Sequence, residues 1–437
     1  MNRFFYNLIL HTLVAPFLAA YYFPRIVLGR KYRHSLSGKL GRLPADFVPE
    51  GLPKPRVWFH AVSVGEVTAL GPLVKAFKEI RPQASIIVST GTETGQDRAH
   101  ESIGDAEGFF YLPLDFPNFV NSVVKRIQPD LFVLMETELW PNLIHSIKGS
   151  GATIVLANGR ISDRSFPRYK RLRAFFSSTL SSIDLFLMAS ETDGRRIAEM
   201  GASPERIRVT GNTKFDAALG KFPDGSEAAM RDLLGVDGFE TVLVAGSTHP
   251  GEHEMVLDAY LDLRKDFPDL ILILVPRHVD KTPQIISAMK DRMMEPPFLR
   301  SASDAGEKRS GRKVIIVDRT GELFQIFSLA SVVFMGGSLV PKGGQNILEP
   351  AAWGKMVLFG PSMEDFRDAA DILVRAGSGI QVRGVDDLVR QAVEILSDPD
   401  SARRAGMKGR EEILRHVGSA GKNAQILAQC LSAIRTV

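Results

Sequence analysis

From residue 56 onward the chain alternates short, dense apolar runs with longer segments of helical spacing. In the first half the runs are Val57-Trp-Phe59, Ser85-Ile-Ile-Val88, Leu131-Phe-Val-Leu134, Thr153-Ile-Val-Leu156 and Leu185-Phe-Leu-Met188. They are continuously apolar rather than alternating, which is the pattern of parallel strands buried on both faces. Helix-length segments such as Glu66–Ile80 and Phe116–Ile127 lie between them, so the order is a run of βαβ units. After the polar, glycine-containing stretch Asp216–Ser226, the expected linker, the rhythm restarts. Its runs are Thr241-Val-Leu-Val-Ala245, Leu270-Ile-Leu-Ile-Leu-Val275, Val314-Ile-Ile-Val317, Val332-Val-Phe334 and Met356-Val-Leu-Phe359. Ser301–Arg312 is expected as an exposed loop, and Ala402–Val437 as helical throughout. The pattern predicts an α/β protein of two doubly wound domains with a cleft between them, where ligands sit outside the carboxyl ends of the strands. The expected division is 1–45, 46–218, 219–405 and a helical segment 406–437.

The N-terminus has a different pattern. Phe4 to Phe23 carries no formally charged side chain, and only Asn7 and His11 are strongly polar. About twenty residues at helical rise cover the hydrocarbon core of a bilayer. Tyr21 and Tyr22 stand where interfacial aromatics are common, and Arg25, Arg30, Lys31, Arg33, Lys39 and Arg42 follow before the first acidic residue, Asp46. The expectation is a membrane anchor with the body on the cytoplasmic side, its basic cluster against an anionic membrane surface. A cleaved signal peptide has its charge before the apolar core, and only Arg3 is there. An interfacial helix lying in the membrane plane also fits, given Pro16 and the modest hydrophobicity.

Composition adds limits. At 437 residues, 44% hydrophobic and 24% charged, the chain is ordinary globular protein, too long for one core. A net charge of +4 does not argue for nucleic acid. One cysteine, Cys430, excludes an internal disulfide and a cysteine-based zinc site. No obligate protein partner is evident.

Candidate chemistry gathers just after the strand runs. In Met335-Gly-Gly-Ser-Leu-Val-Pro-Lys-Gly-Gly-Gln-Asn-Ile-Leu-Glu-Pro350 two glycine pairs precede a helix start, a place suited either to a phosphate or to a tight turn. The segment is neither a Walker loop nor a G-x-G-x-x-G loop. His60-Ala-Val-Ser63-Val-Gly65-Glu66 puts Glu66 at a helix start, fit for a general base or for stabilising the helix terminus, with Ser63 as cap. Glu136 and Glu138 follow a strand beside Trp140 and suit a site that binds hydroxyls. Arg160, Arg164, Arg168, Lys170 and Arg171 form either an anion-binding set or a solvated face. Lys214 could offset charge on a leaving group or form a salt bridge. Arg277 is a candidate phosphate or carboxylate clamp, and Thr320-Gly321-Glu322 is another glycine turn at a helix start. His249, His253 and His278 lack a convergent carboxylate pattern, so no metal site is expected.

Six of these segments in this order resemble the 3-deoxy-D-manno-octulosonic acid (Kdo) transferases. They are His60-Ala-Val-Ser-Val-Gly-Glu66, Glu136-Thr-Glu-Leu-Trp-Pro-Asn142, Asn158-Gly-Arg-Ile-Ser162, Gly211-Asn-Thr-Lys-Phe-Asp216, Val275-Pro-Arg-His278 and Gly343-Gly-Gln-Asn-Ile-Leu-Glu-Pro350. The resemblance implies the glycosyltransferase B fold, two Rossmann-like domains with the last helix crossing back to the first. It implies CMP-Kdo as donor, a lipid A precursor as acceptor, and a metal-independent, inverting transfer at the inner membrane. It implies Glu66 as general base, with Glu136, Lys214 and Glu138 supporting the transition state. Pro276, Arg277, Thr320, Gly321, Glu322, Asn346, Ile347, Leu348 and Glu349 would hold CMP. Other expectations fit the same pattern: a lipid-linked transferase using a UDP-sugar, a non-catalytic sugar-nucleotide binder, or a nucleotide-sugar epimerase.

Overall fold

The computed structural model describes residues 3–18, 20, 33–219 and 226–434. Tyr21, Tyr22, Arg25, Arg30, Lys31 and residues 220–225 of the expected linker lie outside the described residues, as does the side chain of Arg33. The chain forms two compact units, one of Met1–Ala217 with Val417–Val437 and one of Ala218–His416.

Unit 1 is built on β1 (Arg56–Ala61), β2 (Ser85–Thr90), β3 (Gly108–Tyr111), β4 (Leu131–Met135), β5 (Thr153–Gly159), β6 (Leu185–Met188) and β7 (Ile207–Val209). Its sheet is parallel throughout, in the order β3-β2-β1-β4-β5-β6-β7. Successive β1 residues serve opposite faces: Trp58 packs with Phe132 and Phe186, while Val57 and Phe59 pack with Leu70, Phe77 and Val133. Burial on both faces is why these strands read as unbroken apolar runs. The last helix, Ser419–Ile434, covers the second face through Ala424, Leu427 and Leu431. Arg81 fastens it by donating to the Ala428 carbonyl at 2.9 Å.

Unit 2 repeats the design with β8 (Val242–Thr248), β9 (Ile271–Pro276), β10 (Phe298–Leu299), β11 (Val314–Ile316), β12 (Val332–Met335), β13 (Val357–Phe359) and β14 (Gly379–Gln381). The order is β10-β11-β9-β8-β12-β13-β14, again parallel. In both sheets the connection order reverses beside the first strand, between β1 and β4 and between β8 and β12. Those switch points are where ligands enter sheets of this kind.

Three expectations change. The stretch Ser301–Arg312 is not simply an exposed loop. Arg300–Asp304 is helical, and buried Arg309 reaches back to Glu240 at 2.8 Å. The tail is two helices, Pro399–Arg415 and Ser419–Ile434, broken around Gly418, whose φ is 101°.

The third change concerns the anchor. Among the described residues no helix is long and apolar enough to cross a membrane. Residues 3–18 are helical, with a π-helical turn over Leu10–Val14. Polar side chains at the start of this helix bond to the rest of unit 1. Tyr6 Oη donates to Asp115 at 2.8 Å, Asn142 Nδ2 donates to Asn7 Oδ1 at 2.7 Å, and Arg3 donates to Asn142 Oδ1 at 3.2 Å. Leu10 is buried, and His11 packs edge-on against Phe116. Phe4, Phe5, Leu8, Leu13 and Phe17 face outward. One face of the helix thus lies against protein.

Candidate active site

In unit 1 the candidate side chains follow several strands: Glu66 lies past β1, Glu136 and Glu138 past β4, Arg160 past β5 and Lys214 past β7. The chain leaves β1 at Ala61, and Ser63 caps the helix Val64–Ile80, accepting from Glu66 N. Glu66 reaches back over the cap. Its Oε2 accepts from Val62 N at 2.8 Å, and its Oε1 from the Ser63 hydroxyl at 3.1 Å. The Glu66 carboxylate is thus fixed at the helix start and is 8% exposed. Burial, then the charge of Glu136 and to a lesser degree that of Glu138, pushes its pKa up to about 8, against the Val62 amide and Ser63 hydroxyl.

Glu136 follows β4 directly and adopts φ 53°, the left-handed region that a non-glycine residue rarely occupies and that gathers at functional sites. Its amide donates to Ala157 O at 3.0 Å, which fixes the turn. Burial opposes its charge, yet Lys214 at 3.0 Å and Arg160 at 3.8 Å hold its carboxyl below the usual range. Glu138 is raised by burial, although Trp140 Nε1 donates to it at 2.9 Å. Neighbouring carboxylates with divergent environments are how one site separates an ionised group from one poised near neutrality. Asn158, also left-handed at φ 53°, accepts from Thr213 N at 3.0 Å and so seats the loop that carries Lys214. Arg160 leaves its basic neighbours and joins the site, whereas Lys170 pairs with Glu199 and Arg164, Arg168 and Arg171 are exposed.

Unit 2 holds the segments expected to bind a nucleotide. Pro276 is buried at the end of β9, and Arg277 is exposed and makes no ion pair among the described residues. Thr320 and Gly321 form an exposed turn, with Gly321 at φ 92°. Glu322 does not offer a free carboxylate: Arg300 grips it twice, at 2.8 and 2.9 Å. Ile347 and Leu348 are buried, which leaves their backbone as the part open to a ligand, and Asn346 Oδ1 accepts from Leu348 N at 3.2 Å. Glu349 is half-buried on the short helix Leu348–Ala352.

In the first half of the glycine loop the amides are already used: Gly337, Ser338 and Leu339 donate to Glu252, a carboxylate 85–87 residues away in sequence. Only a glutamate following Gly251 at a helix start hinted at that residue. Among the described residues, no group of three or more His, Cys, Asp or Glu side chains is placed to hold a metal ion.

Comparison with known proteins shows the fold and the family. The structure of UDP-GlcNAc 2-epimerase from Neisseria meningitidis bound to UDP-GlcNAc superposes with a TM-score of 0.61 at 13% identity, covering 86% of this chain and 100% of that one. A likeness at that identity establishes the fold alone. The family model described as 3-Deoxy-D-manno-octulosonic-acid transferase (kdotransferase) matches residues 34–217, which carry the carboxylate cluster. Fold and family match define a glycosyltransferase. A 3-deoxy-D-manno-octulosonic acid transferase from Haemophilus influenzae is 32% identical, covering 98% of this chain and 98% of its own. A bifunctional glycosyltransferase/methyltransferase from Fusobacterium nucleatum is 36% identical over 79% of this chain, which spans only 53% of that longer protein. The chain belongs to the 3-deoxy-D-manno-octulosonic acid transferase family.

Proposed function

We propose that this transferase moves Kdo from CMP-Kdo to a hydroxyl of a lipid A precursor in lipopolysaccharide assembly, inverting the anomeric carbon and using no metal. The observation that carries the proposal is Glu66, a buried carboxylate raised to about 8 beside an ionised Glu136. A base works best when its pKa lies near the working pH. Glu66 takes the proton of the acceptor hydroxyl as that oxygen bonds to the anomeric carbon. The bond from that carbon to the CMP phosphate oxygen breaks, and CMP leaves with the electron pair. Lys214 and Arg160 keep Glu136 charged, so that the site favours the proton on Glu66 once it is taken. CMP is assigned to Pro276, Arg277, Thr320, Gly321, Asn346, the backbone of Ile347 and Leu348, and Glu349. Glu322 shapes the Thr320–Gly321 turn through Arg300.

The proposed location is the cytoplasmic face of the inner membrane. Support comes from the outward apolar face of residues 4–17 and the basic run from Arg25 to Arg42. The test mixes the purified protein with CMP-Kdo and a tetraacylated lipid A precursor in the presence of a chelator. Acceptor-dependent CMP release with a Kdo-sized mass increase on the lipid is expected. CMP binding without transfer would assign a different sugar or acceptor. Loss of transfer to the chelator alone would overturn the metal-free chemistry.

A further inference from the structure

Unit 2 repeats, at its own switch point, the placement that unit 1 gives to Glu66. The chain leaves β8 through Ser247, left-handed at φ 52°, and begins the helix Glu252–Asp266. Glu252 is fully buried. Its Oε2 accepts from His249 N at 3.0 Å and Gly337 N at 2.7 Å, and its Oε1 from Ser338 N at 3.0 Å and Leu339 N at 2.9 Å. His249 follows β8, and Gly337–Leu339 follow β12, the neighbouring strand across the switch point. One carboxylate therefore ties both lips of the place where a ligand enters such a sheet. The lips are in close contact, since a Cβ on Gly336 would come within 2.5 Å of Thr248 Cα.

The tie extends to the segments assigned to the nucleotide. Gly344 N donates to Gly337 O at 2.8 Å, just before the Gln345–Glu349 stretch. Arg277 N donates to Thr248 O at 2.9 Å. The His249 ring lies 5.9 Å from that of His278, and its Nε2 is 3.4 Å from Gln345 Nε2. Four amide bonds to one charged acceptor make a strong, directional hold, stronger than the same bonds to a neutral group.

We propose that Glu252 is a positioning residue for nucleotide binding, holding the β8 and β12 lips in the register that presents Arg277 and Asn346–Glu349 to CMP. The proposal rests on unit 2 being the CMP-Kdo half. The experiment is calorimetric titration of CMP into the full chain, the Glu252→Gln variant and the Tyr260→Phe variant. Tyr260 is a fair control: it is fully buried, and its hydroxyl donates to Leu270 O at 3.0 Å, at the amino end of the same sheet. Both changes loosen the core of unit 2, and only the first touches the lips. Glu252→Gln is expected to weaken CMP about tenfold or more, the scale of losing bonds to a charged group, with Tyr260→Phe close to the unaltered protein. Where Glu252→Gln does not fold, Glu252→Asp, which keeps the charge but retracts it, is read in the same way. Unchanged CMP affinity in the Glu252 variants overturns the proposal, and so does equal weakening by Tyr260→Phe. Absence of CMP binding to the unaltered chain would instead overturn the assignment of unit 2 to CMP-Kdo, and the proposal with it.

Discussion

At Glu66 burial and the neighbouring carboxylates work against ionisation, and the consequence reaches stability as well as chemistry. Its carboxyl is raised, by burial first and then by Glu136 and Glu138, from the ordinary range to about 8. The folded chain therefore holds this proton more tightly than the unfolded one. The stability that follows is fully present below the ordinary carboxylate range and is lost as pH rises through about 8. Glu66→Gln has no such loss. Its melting temperature relative to the unaltered protein should move in the variant's favour between about pH 5 and about pH 9. A difference that stays flat across that range, read by calorimetry, would show that Glu66 is not buried uncharged. The sequence made Glu66 and Glu136 legible as candidates because each follows an apolar run, and Lys214 through the Gly211-Asn-Thr-Lys-Phe-Asp216 motif. It could not show that Lys214 meets Glu136 across 78 positions, nor that Glu252 takes the glycine-loop amides, because both pairings depend on which strands become neighbours.

Among the elements, the ten apolar runs all became strands, and the four strands that the pattern missed are β3, β7, β10 and β14. These are the edges of the two sheets. Edge strands are short and partly solvated, as the exposed Arg208 and Val209 of β7 show, so they lack the unbroken apolar signal. The N-terminal helix carries a different signal: most of its large apolar residues face outward, and its few polar ones are docking groups. Asp115 is the hub. It caps the helix Pro141–Gly149 by accepting from Asn142 N at 3.0 Å and Leu143 N at 2.8 Å, and it receives the Tyr6 hydroxyl. Burial, opposed by these donors, raises its carboxyl to about 6. Removing a cap costs about 1 kcal/mol. Asp115→Ala should lower the melting temperature by about 2–4 °C for a unit of this size. It should also speed amide exchange in residues 3–18. A variant with a lowered melting temperature but unchanged exchange in that helix would contradict its docking through Tyr6.

For the whole molecule, the two-unit α/β design followed from the rhythm of the runs, and the family from six short motifs in order. The membrane relation did not follow, since hydropathy cannot tell a span from a helix with one face on protein. With Phe4, Phe5, Leu8, Leu13 and Phe17 outward and a basic run behind them, the chain should float with vesicles containing anionic lipid. Vesicles of zwitterionic lipid alone should hold it more weakly, and high salt should reduce binding to the anionic vesicles to that level. Equal, salt-resistant binding to both would favour insertion over surface seating.

The central claim is that Glu66 is the base of Kdo transfer, and the pH profile of acceptor-dependent CMP release tests it most directly, measured for the unaltered protein and for Glu66→Gln. Because a base acts deprotonated, kcat/KM of the unaltered protein should rise with pH through about 8 and level off above it. Glu66→Gln should lose at least about 10²-fold in turnover while CMP affinity stays nearly the same. A variant that keeps its turnover, or that retains the same rising limb, would contradict the assignment.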